Sequence, residues 1–570
     1  MNEQRNILLA IVFSVAILIG WQFYDAKRHP APQTQTASQT ATPAASPGGV
    51  VSAQAPGAPA SGAPALTREQ ALAASPRIAI KTPAVSGSIS LVGARIDDLT
   101  LLNYRETTAP DSEPVTLLSP AAMGAGAYYA EFGWVPADVK VAVPGAETRW
   151  TANAQTLTPD SPVVLTWDNG QGLRFVRTYT VDKDYMFSVS QKVENTGSAA
   201  VSLFPYALVS RWGTPKTLDT YVLHEGPLGV FDGSLKDDIK YKKLKDDHEI
   251  DEQGKGGWIG FTDKYWLTAV VPSQDMEVKS RMTWRSVDNV DRYQTDWLGS
   301  EVVVQAGASA ENTTHFFAGA KVLSLLDGYR QSLQVPLLDR AIDFGWFFFL
   351  TIPFFHFLRF IHENVPNFGI AILIFTVVIK GLFFPLANKS YKSMSKMKKL
   401  QPEMKKLQEK FADDKARLNQ EMMALYKREK ANPVSGCLPI LLQIPVFFAL
   451  YKVLYVTIEM RQAPFFGWIH DLSSPDPTTL FNLFGMIPWD PPQFLHIGVW
   501  PLIMGVTMFL QQKLNPQPTD PVQAKMFTFL PLVFTFMLAN FPAGLVIYWA
   551  WSNTLSIAQQ WLIMKQVNKA

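Results

Sequence analysis

Thr376 and Lys380 sit four positions apart in the stretch FGIAILIFTVVIKGLFFPLA, Phe368 to Ala387. That spacing puts both on one face of a helix. The stretch is otherwise apolar and has about the ~20 residues a membrane span needs. A charge at the centre of such a span costs ~3 kcal/mol or more, so its retention implies a use. An ammonium beside a hydroxyl makes no bond by itself. It holds water, and it attracts a passing carboxylate. Lys380 lies roughly 10 Å before Ala387 along a helix rising 1.5 Å per residue. Two bland fates are open to it: snorkelling to the nearer interface, or a structural ion pair. The other long apolar stretches contain no Asp or Glu to pair with it. That favours a water-filled cavity open toward the end near Ala387. Gln443, Gln511, Gln512, Asn540, Ser552, Asn553, Gln559 and Gln560 are candidates to share that wet groove. Some of them must instead cap span ends or bond between helices. Lys452, near the other end of its own span, is expected to snorkel outward and to have no role.

Little else in the chain points to reaction chemistry. No phosphate-binding glycine loop, metal-ligand cluster or nucleophile motif is present. No catalytic residue, cofactor or metal is expected. The single cysteine, Cys437, reads either as a nucleophile or as a small packing residue, the second being favoured. The 51 basic and 49 acidic residues balance to +2, which speaks for neither DNA nor any other polyanion. His224, His248 and His315 are candidates for a histidine–carboxylate pair by type only, since no spacing ties them to an acid.

The elements that must hold these residues fall into distinct textures. The N-terminal run Ile7 to Phe23 reads as an uncleaved membrane anchor, with a signal peptide as the rival. Pro30 to Thr67 has no charged and no aromatic residue, so a disordered tether over 29–76 is expected. From 77 to 330 strands and turns dominate. Asn169-Gly170 between two β-rich runs signals a hairpin. Tyr185, Phe187, Val189 and Val193 alternate with Ser188, Ser190 and Lys192, as in a sheet with one wet face. A large β-sandwich follows. Phe344 to Leu358 is short and aromatic, and is expected to lie in the membrane interface within a segment 336–362. Five spans then make up 363–570: Phe368–Ala387, Cys437–Ile458, Ile497–Leu514, Met526–Phe541 and Gly544–Met564.

Charge orients them. Asn388 to Gly436 carries 13 Lys/Arg against 6 Asp/Glu, and Glu459 to His496 carries one Arg against four acids. Positive loops stay cytoplasmic. With the anchor there are six spans, both termini inside and the β-domain outside. Within 388–436, Met397, Leu400, Met404, Leu407 and Phe411 step by three and four, as do Leu418, Met422 and Leu425 after Asp413-Asp414. Two antiparallel helices are expected. Their methionine seam is either an ordinary coiled-coil core or a grip for apolar chains. Their basic outer face either meets ribosomal RNA or lipid headgroups, or is simply solvated.

A positive, wet groove at half depth lowers the cost of moving polar chain into a membrane. Apolar segments then slide sideways into lipid. These residues therefore point to a chain-insertion device. At this point the sequence resembles a known family. QEMMALYKREKANPVSGCLPILLQIPVFFALY (Gln420–Tyr451), EMRQAPFFGWIHDLSSPDP (Glu459–Pro477), PLIMGVTMFLQQK (Pro501–Lys513) and FPAGLVIYWAWSN (Phe541–Asn553) look like the YidC/Oxa/Albino insertases. QRNILLAIVF and the tethered β-domain look like the Gram-negative form, in the bacterial inner membrane with the β-domain periplasmic. The resemblance implies several things. The fold is a six-span helical membrane protein with a periplasmic supersandwich. The hydrophilic groove is formed by Lys380, Thr376, Gln443, Tyr548 and Trp549. A client-contacting wall is formed by Phe447, Met504, Met508 and Met537. The hairpin 388–436, with Met397, Leu400, Met404 and Leu407, is similar to a cytoplasmic loop that contacts ribosome and client. The implied partners are nascent membrane proteins, the ribosome, the Sec translocon and the lipid bilayer, without a small-molecule substrate. Two features depart from the family pattern: lysine stands where arginine is usual, and tryptophan at 549 where tyrosine is common. A third is the additional LFNLFGMIPWDPPQFLHIG in the outer loop, which could be interfacial and has no assigned task. Two rival functions remain. A small-solute transporter or channel predicts repeats and helices broken near midplane, neither of which is evident. A membrane-anchored carbohydrate enzyme or binder predicts activity in the β-domain alone.

Overall fold

The computed structural model describes residues 65–570 apart from 219–222, 412–413, 430–437, 490, 493–494, 516–520 and 570. The anchor Ile7–Phe23, most of the tether and Cys437 lie outside the described residues.

The tether ends earlier than expected. Arg68–Ala73 forms a short helix, α1, opened by a capping box in which the Thr67 hydroxyl accepts from the Gln70 amide and the Gln70 side chain accepts in return. Arg68 then pairs with Asp98 of the β-domain. A threonine three residues before a glutamine satisfies two free amide groups at once. That local signal outweighs the apolar-poor composition from which disorder to residue 76 was inferred.

The β-domain is a sandwich of an 11-stranded and a 9-stranded sheet. The expected hairpin pairs Val163–Asp168 with Leu173–Val181, turning at Gly170 with φ +70°. The Asn169 side chain accepts from the amides of Gln171 and Leu173, closing the turn. In the strand Met186–Asn195, Phe187, Val189 and Val193 are buried while Ser188, Ser190 and Lys192 are half-exposed, matching the period of two. Between the sheets Phe316 meets Phe132 at a ring separation of 6.0 Å, and within its own sheet it meets its cross-strand partner Phe187 at 6.1 Å. Each such ring contributes ~1.5–3 kcal/mol by leaving water.

One buried acid gives the β-domain a pH dependence. Asp296 accepts from Gln294 at 2.8 Å and from Arg281 at 3.4 Å. Burial nevertheless pushes its carboxyl up to about 6. A folded pKa above the unfolded value means that the native state holds this proton more tightly. The stabilisation it carries is present below the unfolded value near pH ~4 and fades as pH rises through about 6. Asp296→Asn should remove that slope. Thermal melts at pH 5 and pH 7 should then differ less in the variant than in the parent chain; an unchanged difference would refute the assignment.

The β-domain continues without a break into the helical half. The Tyr241–Asp247 helix (α2) and the Leu323–Ser332 helix (α3) flank it, and a 3-10 turn follows at Leu338–Ala341. Leu326, Val335, Leu338, Ile342 and Phe344 belong to the same apolar core as the sandwich. The expected boundary at 330–336 is therefore packed through rather than linked by loose chain. Next comes α4, Phe348–Asn364. Its buried Thr351, Phe355, Leu358 and Ile361 form one face, while Phe349 and Phe360 are exposed, as is Trp346 just before it. This is the aromatic segment, starting four residues later than the sequence suggests.

The expected span Phe368–Ala387 is not one helix. α5, Phe368–Leu382, is capped by the Asn367 side chain at the Ile370 amide. It bends by 68° at Phe383 into α6, Phe384–Lys410. Pro385 fits as an early residue of a new helix but not in the interior of an old one. A broken helix is thus present, contrary to the sequence reading, though it borders the basic hairpin. α6 and α7, Lys415–Arg428, form that hairpin, with α6 beginning before residue 388. The remaining helices are α8, Leu438–Val456; α9, Val499–Leu514; α10, Pro521–Leu538; and α11, Ala543–Lys569. Among the described residues no single helix is long and apolar enough to cross a membrane by itself, though the bent α5–α6 pair passes together. The long helix α11 falls short because one face is polar, carrying Ser552, Asn553, Ser556, Gln559 and Gln560.

Candidate polar groove

α11 and the α5–α6 break form one side of a cavity of about 410 Å³, closed by α8, α9 and α10. α9 and α10 approach closely because Gly505 leaves room for Thr535. A Cβ at 505 would stand 2.1 Å from the threonine hydroxyl.

The break relocates Lys380. It stands in the last turn of α5 rather than well inside a continuous span. The free carbonyls and the dipole of a helix C-terminus favour a cation there. Its ammonium donates to the Ser556 hydroxyl at 2.8 Å, which donates to the Ser552 carbonyl at 2.9 Å. No Asp or Glu is among the residues lining the cavity. One hydroxyl occupies only one of three ammonium donors.

The cavity lining mixes polar and apolar side chains. Gln443, Tyr548, Ser552, Asn553 and Ser556 line it together with Lys380. The Gln443 amide donates to the Tyr548 hydroxyl. Phe447, Met508, Phe534 and Trp549 line it too, with Trp549 4.8 Å from Phe447 and 5.7 Å from Phe534 between ring centres. A polar segment can be solvated by the amides and hydroxyls while an apolar one rests on the rings.

Several expected residues lie elsewhere. Thr376 is buried, returns its hydroxyl to the Ile372 carbonyl at 2.6 Å, and does not line the cavity. Hydroxyl back-bonding within the helix competes with any outward role. Met504 is fully buried among Leu538, Val546 and Ala550. Met537 is 51% exposed on the far side of α10. Neither lines the cavity. Met397, Leu400, Met404 and Leu407 pack with Met422, Leu425 and Tyr426 inside the α6–α7 hairpin, so the seam is the hairpin's own core. Lys452 does more than snorkel: it pairs with Asp343 at 2.8 Å. Ser556 was missed, although Ser552, Ser556 and Gln559 at i, i+4 and i+7 trace one stripe of α11. His224 bonds the Pro227 carbonyl at 3.0 Å, His315 meets Ser188 at 2.8 Å, and His248 meets the Asp246 carbonyl at 3.2 Å. Among the described residues none of the three rings is hydrogen-bonded to a carboxylate.

Residues 360–570 match the family described as 60Kd inner membrane protein, and residues 77–357 match the YidC periplasmic domain. A protein of Granulibacter bethesdensis named membrane protein insertase YidC is 52% identical over 576 residues, covering 99% of this chain and 98% of its own. Proteins of the same name from Rhizobium meliloti and Bradyrhizobium diazoefficiens are 51% and 49% identical, each covering 99% of this chain and 96% and 97% of their own. A crystal structure of an active YidC insertase is similar over 85% of this chain and 92% of its own, with 16% identity and a TM-score of 0.34. At about half identity along nearly the entire length, this chain belongs to the YidC family of membrane protein insertases, with a periplasmic β-sandwich preceding the helical inner-membrane region.

Proposed function

We propose that this protein inserts and chaperones nascent polypeptides in the inner membrane, using the Lys380 cavity as its client site. The observation that carries this reading is a cation with no carboxylate among the cavity-lining residues, held by Ser556 in a lining of amides, hydroxyls and aromatic rings. A hydrophilic segment of a client is drawn beside Lys380, with water and the amides of Gln443 and Asn553 replacing part of its hydration. An acidic residue in that segment is attracted in transit. The apolar segment that follows rests on Phe447, Met508 and Trp549 and leaves sideways into lipid. No covalent bond is made or broken. In this reading the chain crosses the membrane six times with both termini cytoplasmic, so that the cavity opens toward the ribosome with the basic α6–α7 hairpin beside it. Work with the Sec translocon, as well as alone, fits a groove that accepts one segment at a time.

The test is site-specific photocrosslinking of ribosome-bound chains. A probe at Phe447 or Met508 should capture the apolar segment of a client in a stalled intermediate. A probe at Met504, buried outside the cavity lining, should not. Equal capture from all three positions would remove this cavity as the client site.

A further inference from the structure

A second hollow, of about 450 Å³, lies where the β-domain meets the segment that follows α8. Its walls come from the Glu106–Thr108 turn, from Lys264 and Tyr265, and from the loop containing Arg461, Trp468 and Asp471. Lys264 stands in the turn between the strands Trp258–Thr262 and Trp266–Val271. Its ammonium lies 4.0 Å from the centre of the Tyr455 ring and 4.8 Å from that of Tyr265. Among the described residues it has no ion-pair partner within 4.0 Å and no side-chain hydrogen bond. Burial pushes this amine down to about 8, against the distant pull of Asp471 and Glu225.

A second cation faces the same ring. The Arg461 guanidinium lies 5.9 Å from Tyr265 and 5.3 Å from Trp266. It donates to the carbonyls of Arg105 and Glu106, while its Nη1 is buried without an acceptor among the described residues. The acids of the hollow are otherwise engaged or exposed. Asp471 accepts from the amides of Gln462 and Ser473 and from the hydroxyls of Ser473 and Ser474. Glu106 is on an exposed turn. Ring faces attract an ammonium but give its N–H groups no acceptor. A compact anion with several oxygens meets that need.

We propose that this hollow binds a phosphate group, with Lys264 as its principal donor and Arg461 supplying the supporting charge. The surroundings fit the headgroup of a phospholipid. Tyr455 closes the end of α8, and Phe466 and Trp468 of the adjoining loop are exposed, as are Trp346 and Phe349. Exposed aromatic rings gather at the headgroup level of a bilayer. Free phosphate offers the same chemistry, and the experiment separates the two sources.

The purified full chain in detergent is offered either dioleoyl phosphatidylglycerol or dioleoylglycerol, which lacks the phosphate, and retained lipid is read by native mass spectrometry. In a parallel arm inorganic phosphate is titrated and read by phosphorus NMR. Lys264→Gln should weaken retention of phosphatidylglycerol about tenfold or more, as expected for a lost charge-assisted bond, while Lys264→Arg restores it and dioleoylglycerol shows no difference. Saturable binding of inorganic phosphate alone, lost in Lys264→Gln, would support the phosphate site and assign it to the free ion. A third readout needs no variant: occupancy should slow acetylation of Lys264 in the parent chain. No dependence on Lys264 in either binding arm, together with unchanged acetylation, would overturn the proposal.

Discussion

Lys380→Glu should abolish insertion of clients that carry acidic outer tails, and Lys380→Arg should preserve it. The reason is the sign of the charge, together with the absence of any counter-ion among the cavity-lining residues. Arginine keeps the cation and can still donate to Ser556, although its planar fork differs from an ammonium. Glutamate replaces attraction by repulsion between like charges a few ångströms apart. That is ~1 kcal/mol in bulk water and ~4 kcal/mol at the lower dielectric of a protein surface, so the swing from attraction to repulsion is about 2–8 kcal/mol, at least roughly thirtyfold in rate. Lys380→Gln should fall between the two, because it keeps a donor toward Ser556 without the charge. Protease protection of a client with an acidic tail, compared with one whose tail is neutral, measures this directly. If glutamate and arginine variants insert both clients equally, the charge has no part in the mechanism.

Asp343→Ala should destabilise the joint between the β-domain and the membrane helices by about 2–3 kcal/mol. The Asp343 carboxylate accepts from Lys452 at 2.8 Å, from the His224 amide at 3.1 Å and from the Gly345 amide at 3.0 Å. Its main-chain carbonyl accepts from Lys452 as well, at 3.2 Å. One side chain thus ties a β-domain loop, the chain leading into α4, and α8. Removing one partner of a fully buried pair costs about 3–5 kcal/mol; partial exposure here reduces the figure. Gly345 is part of the same device, with φ +68° and the Lys452 side chain where a Cβ would stand, 2.8 Å from its Cε. A double-mutant cycle with Lys452→Met, read by thermal melting of the full chain in detergent, isolates the pairwise coupling. Additive losses would show that Asp343 acts through its amide contacts alone.

Much of this architecture was legible in local pattern. The alternation through Phe187, Val189 and Val193 and the Asn169-Gly170 turn both report a half-buried sheet, since each depends on neighbours only a few residues away. The three-and-four stepping through Leu400, Met404 and Leu425 gave the hairpin. It did not decide whether the seam faces inward or outward, which requires knowing that the two arms satisfy each other. The same limit explains Thr376. Its place on one face with Lys380 is a matter of helical spacing, but the competing bond to the Ile372 carbonyl becomes visible only once the helix exists. Met504 and Met537 share a residue type with Met508 and differ in the direction each points, which the packing of α9 against α10 and α11 sets.

Taken alone, the sequence determined that a β-rich half precedes an apolar helical half, that a lysine lies among apolar stretches without acids, and that the chain resembles the insertases. Those are consequences of composition, periodicity and motif, which act over short range. The tertiary structure decided that α5 ends at Leu382, that Ser556 receives Lys380, that Lys452 is locked to Asp343, and that Lys264 and Arg461 meet in one hollow. Each of these joins residues far apart in the chain, and only the folded packing of several elements specifies which pairs meet and which donors stay free.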